Sequence, residues 1–169
     1  TKVVASTKAL TLAMDSAFGE LKKTVGASDE AQHAFAESID VLIDYGLAVE
    51  DAKESMQSIR TEVKTFTNET IEMQAQIATQ IALMKGLGVG IGDAVTGYGV
   101  LTESLGFTRD EALGIERDFV ALARAIDEVP GTVFQNMQKA SNMIARFGKR
   151  GVTEFKKLSA AAKHTGVAL

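Results

Sequence analysis

His33 stands three residues after Glu30 and four before Glu37, a spacing that gathers one imidazole and two carboxylates on a single helical face. Such a trio can hold a divalent cation weakly, and the plainer reading is a solvated histidine. His164, the only other histidine, precedes Gly166 at an expected helix end, where the dipole favours a cation. The acid pairs Asp29/Glu30, Glu50/Asp51 and Asp110/Glu111 have the composition of general acid–base couples. All three fall in expected first helical turns, where the positive end of the dipole accounts for them without catalysis. Gly86, Gly88, Gly90 and Gly92 recur every second residue, so a dinucleotide-binding Gly-x-Gly-x-x-Gly does not arise. Gly92 and Gly97 have the glycine spacing of a P-loop, but Tyr98 occupies the place of its lysine. With no cysteine in 169 residues, thiol nucleophiles, thiolate metal sites and disulfides are excluded together. The residues therefore predict no enzyme, no metal site and no cofactor.

The elements that would carry these side chains are helical. One proline in 169 residues leaves little to prohibit helix, and 46% apolar residues suffice for a core. Residues 2–25 read as a first helix ended by Gly26. Ser28-Asp29-Glu30 starts a second, with Ala31, Phe35, Ile39, Leu42 and Ile43 as its stripe and Gly46 at its close. Val49, Ala52, Met56, Ile59, Val63, Phe66, Thr70, Met73, Ile77, Gln80, Met84 and Leu87 then step by three and four. That 3.5-residue period predicts a coiled-coil-like seam, read as one helix over about 49–85 and reaching roughly 55 Å. A break with Thr67 or Asn68 capping a second helix is the alternative.

Residues 86–107 are expected to be a glycine-rich hinge, centred on Gly86, Gly88, Gly90 and Gly92, with at most a short helix at 91–98. Thr108 and Glu111 have capping-box spacing and open a helix striped by Ala112, Ile115, Phe119, Leu122, Ile126 and Val129 and stopped by Val129-Pro130-Gly131. Val133, Met137, Ala140, Ile144 and Phe147 mark the next, and a last one from Thr153 turns Phe155, Leu158 and Ala162 inward. The fold expected is all-α: amphipathic helices joined by glycine turns, in an acidic segment 1–85, the hinge, and a segment 108–169 with a basic end.

Charge divides along the same line. Residues 1–130 hold 11 basic and 21 acidic side chains, net −10, whereas 131–169 hold seven basic side chains against Glu154, net +6. The basic end can meet a polyanion, a membrane surface or the acidic part of another copy, or can be a solvated face.

A connector of one plan, a glycine followed by an apolar residue and then by acid and alanine, recurs at Gly26–Ala31, Gly46–Ala52, Gly88–Ala94 and Gly106–Ala112, and Gly166-Val167 looks like the start of another. These connectors, with the run Phe134-Gln135-Asn136-Met137-Gln138-Lys139-Ala140 and that from Ala145-Arg146-Phe147-Gly148-Lys149-Arg150-Gly151 to Val167, resemble the tail tape-measure proteins of long-tailed bacteriophages. The resemblance runs over residues 45–169 and transfers no functional residue. It implies a helical rod in the lumen of the tail tube, hence in the virion, that sets tail length and leaves before DNA passes. It also implies a fragment of a longer chain, with copies of itself and tube proteins as partners and a transient membrane contact during ejection.

The residues themselves point to a non-enzymatic assembly protein packing through Val49, Met56, Ile59, Val63, Phe66, Met73 and Ile77. Two other classes stay open: a membrane-perturbing helical toxin inserting residues 81–101, and a compact helical adaptor domain, cytoplasmic if no phage is involved.

Overall fold

A computed structural model describes residues 42–165 together with Gly19, His33 and Ala36. Apart from Gly19, His33 and Ala36, the helix expected over 2–25, residues 28–41 of the second expected helix, the connector at Gly26 and that at Gly166 lie outside the described residues; the second helix ends before Gly46, which takes φ +74°. The described residues are all-α, with no strand among them. In chain order they form α1 (Val49–Glu62), a 3-10 turn (Lys64–Asn68), α2 (Ile71–Gly86), α3 (Ile91–Gly99) and a π-turn (Val100–Ser104). Then follow α4 (Arg109–Ala125), α5 (Pro130–Arg146) and α6 (Lys149–Thr165).

The single helix expected across 49–85 is corrected to two. Val63 leaves the helix in an extended conformation (φ −108°, ψ 103°), and Thr65-Phe66-Thr67-Asn68, poor helix formers, close into the 3-10 turn. Phe66 is buried there and pins the turn to the core. Thr70, not Thr67 or Asn68, caps α2, its Oγ1 accepting from the Met73 N–H at 3.4 Å. Asp51 near the start of α1 is ion-paired with Lys85 near the end of α2, so the two helices run antiparallel. The heptad seam thus closes on itself as a helical hairpin: Val49, Met56, Ile59, Val63, Phe66 and Ile77 are buried and Met73 half-buried. A 3.5-residue period suits this packing as well as it suits an intermolecular rod.

The glycine-rich stretch is mostly helix. Gly86 ends α2, Gly90 precedes α3 and Gly92 lies in its first turn. Gly88 takes φ +89° while the Val89 N–H donates to the Met84 carbonyl, a bond that closes the end of α2 and needs a residue without Cβ strain. Pro130 lies against this turn, and Asp93 of α3 ties down α5: its Oδ2 accepts from Gln135 and its carbonyl from Gln138, at 3.2 and 3.0 Å.

Thr108 and Glu111 form a reciprocal cap on α4. The Thr108 N–H donates to Glu111 Oε2 at 2.8 Å, and the Glu111 N–H donates back to Thr108 Oγ1 at 3.4 Å. Pro130 opens α5, where its missing N–H costs nothing. Phe119 then joins the three C-terminal helices by edge-to-face contacts, 5.7 Å to Phe134 of α5 and 5.7 Å to Phe155 of α6. One apolar core runs from Leu42 through α1–α5 to Phe155.

The tightest joint lies between α5 and α6. A Cβ on Gly151 would strike the Ile144 carbonyl oxygen and come within 2.8 Å of Ile144 Cγ2. A backbone carbonyl yields only if the last turn of α5 unwinds. Gly151→Ala is therefore expected to destabilise the chain by about 1–3 kcal/mol, read as a lower midpoint in a circular dichroism melt. An unchanged melt would refute the close approach.

Candidate interaction surface

The α5–α6 hairpin leaves part of its apolar face uncovered. After α5, the Phe147 and Gly148 N–H groups donate to Ile144 and Ala145, and Gly148 turns the chain at φ +56°. The two helices splay around a groove of about 240 Å³ whose lining includes Ile144 and Phe155, both buried, and Met143, Phe147 and Leu158. Those last three are 53%, 62% and 51% exposed. Phe147 and Leu158 were expected to turn inward. They do not, because no described element packs on this side of the hairpin. The polar lining is Asn136, Lys139 and Glu154, a set with no nucleophile–base pair in it.

Much of the basic charge of 131–169 is consumed within the chain. Lys149 reaches Glu111 at 2.8 Å, Lys156 reaches Asp118 at 2.7 Å and Lys163 reaches Glu128 at 3.3 Å. These pairs lace α6 to α4 and the turn after it. They are exposed and screened by solvent, so each contributes little. The Lys149 ammonium beside Glu111, reinforced by the Thr108 N–H, holds that carboxyl down at about 2. Lys157 pairs with Glu154 of its own helix. Lys139, Arg146 and Arg150 have no acidic partner among the described residues, and Lys139 stands in the groove wall.

Glu116 of α4 is the other feature without an obvious structural purpose. It is fully buried, neither carboxylate oxygen has a hydrogen-bond partner, and burial pushes its carboxyl well above the usual carboxylate range. A Cβ on Gly97 would lie 3.3 Å from its Oε1 and 3.2 Å from the Phe134 ring, so the glycine of α3 makes room for both. Beside it Tyr98 is buried and its hydroxyl is pushed up to about 12 by that burial. The group is sealed in the core and opens onto no groove. The signal was in the spacing: Ala112, Glu116, Phe119 and Ala123 follow one helical stripe, with a carboxylate inside it.

The earlier candidates fall elsewhere. His33 and His164 are exposed, but Glu30 and Glu37, which complete the expected trio with His33, and the pair Asp29/Glu30 lie outside the described residues, among which no cluster of three metal-ligating side chains occurs. The Lys85–Asp51 pair ties α1 to α2: burial alone would raise Asp51, but its hydrogen bonds from Lys85 and from the Ala48 N–H bring it below its ordinary value. Across 81–101 the apolar side chains Ile81, Met84, Val89, Ile91, Val95 and Leu101 are spent in the core. No helix of the described residues is long and apolar enough to cross a membrane. Comparison with protein-family models, with curated proteins and with solved structures finds no match to this chain.

Proposed function

We propose that this chain is a non-enzymatic helical assembly module, in the setting of the phage tail tape-measure proteins that its sequence resembles. It is a helical piece of a longer protein in the tail tube lumen, in contact with copies of itself and with tube proteins, and so part of the virion. The observation that carries the assembly reading is the row Met143, Phe147 and Leu158, three large apolar side chains left in water along one groove. Antiparallel helix pairs with an open groove take a third helix readily, since ridges on the newcomer fit the gap between them. The resemblance alone supplies the phage setting.

Light scattering tests the assembly reading. The wild type should exceed the 18.0 kDa monomer mass at micromolar concentration. Phe147→Asp should return it to monomer with the melting midpoint nearly unchanged, because the side chain is already exposed. A wild type that stays monomeric throughout would overturn the reading. It would favour the compact adaptor domain instead, which has its own support in the continuous core from Leu42 to Phe155.

A further inference from the structure

We propose that the α5–α6 groove receives residues 28–41 of a second copy of this chain. The inference rests on the assembly reading above and names the occupant of the same surface. From residue 24 to residue 52 the sequence has no lysine or arginine and seven carboxylates, among them Asp29, Glu30, Glu37 and Asp40. Ala31, Phe35 and Ile39 recur every fourth residue, which gives this acidic segment an apolar stripe at helical spacing. The groove presents the complement: an apolar floor, with Lys139 in its wall and Arg146 and Arg150 on either side of the Phe147-Gly148 turn, all three without acidic partners among the described residues.

Dimensions agree as well. The helix expected from that stripe would span about 21 Å over fourteen residues, and α6, with 17 residues, spans about 25 Å. The position of Leu42 favours another copy over the chain's own segment. Leu42 is fully buried and its carbonyl accepts from the N–H of Leu47, which lies against Gly86 at the end of α2. The chain therefore enters its body on the α1–α2 side. Since α1 packs on α2 and α3 while α6 packs on α5 and α4, the helices that receive the entering chain are not those that line the groove. Reciprocal exchange between two copies fills both grooves with one two-fold arrangement.

The test uses the full chain as an equal mixture of ¹⁴N and ¹⁵N material, treated with a zero-length carbodiimide cross-linker and read by mass spectrometry. Support is a mixed-isotope cross-link between Lys139 and Glu37 or Asp40. Lys139→Glu with Arg146→Glu and Arg150→Glu should weaken self-association at least tenfold in light scattering. Adding Glu37→Lys and Asp40→Lys to that variant should restore it. A same-isotope product alone assigns the groove to the chain's own segment and overturns the proposal. Self-association that Phe147→Asp abolishes, without any cross-link to 28–41, also overturns it while leaving the assembly reading intact. Absence of self-association removes both.

Discussion

Ile59→Asp should leave the chain unable to fold at 25 °C. Ile59 is fully buried in the last turn of α1, where the chain turns toward α2, so the substitution removes an aliphatic side chain and puts a carboxylate into the apolar core. Truncation of a buried isoleucine alone costs about 2–5 kcal/mol, and an unpaired buried charge adds several more. The sum approaches the whole stability of a typical domain, about 5–15 kcal/mol. Loss of the helical circular dichroism signal and of any cooperative melt is the expected reading. Ile59→Val, which deletes one methyl, should fold and lose only about 0.5–1.5 kcal/mol. Its loss should not depend on protein concentration, because the partners of Ile59 lie in its own chain. A folded Ile59→Asp with an unchanged melt would mean that the hairpin seam is not the core, and a concentration-dependent loss in Ile59→Val would return the seam to the interface between copies.

That test also bears on what the sequence could and could not tell. The 3.5-residue spacing from Val49 to Leu87 was legible because burial imposes it, and burial does not distinguish a partner helix in the same chain from one in another. What decided the matter is local: the β-branched and polar run at 65–68 cannot sustain an α-helix, and Phe66 within it is worth more buried in a turn than held on a rod. The cap at Thr108–Glu111 was readable because both groups act on neighbouring backbone, with no help from tertiary contacts. Tertiary contacts rotated the α4 stripe. Ala112 and Phe119 face inward as expected, but Ile115, Leu122 and Ile126 are only half-buried, Val129 is exposed, and Glu116 and Ala123 take the inner positions. The groove was illegible for the same reason. Phe147 and Leu158 repeat at helical spacing like any core residue, and only the absence of a described helix over them leaves them in water.

Glu116→Leu should make the chain more stable, and the gain should grow with pH. The raised carboxyl means that the folded state binds its proton more tightly than the unfolded chain does. Below the ordinary glutamate range both states are protonated and no penalty exists. As pH rises past that range the unfolded chain ionises first, so folding carries an increasing cost until the folded carboxyl itself titrates. Glu111 and Glu128, both held low by hydrogen bonds, act in the opposite sense and lose their contribution as pH falls, so the wild-type profile mixes the two. Subtracting a Glu116→Gln profile isolates the buried group, since glutamine keeps the shape and cannot ionise. Glutamine retains unpaired polar atoms and should recover only the pH-dependent part. Leucine, of similar volume and apolar, should recover that and the desolvation cost as well, about 1–4 kcal/mol at pH 8. Melts at pH 5 and pH 8 check the claim. If the wild-type and Gln curves run parallel between those values, Glu116 is ionised in the folded chain and some unseen cation compensates it. If leucine destabilises instead, the pocket between Gly97 and Phe134 is shaped for the carboxyl, and the buried acid is retained for the packing it specifies.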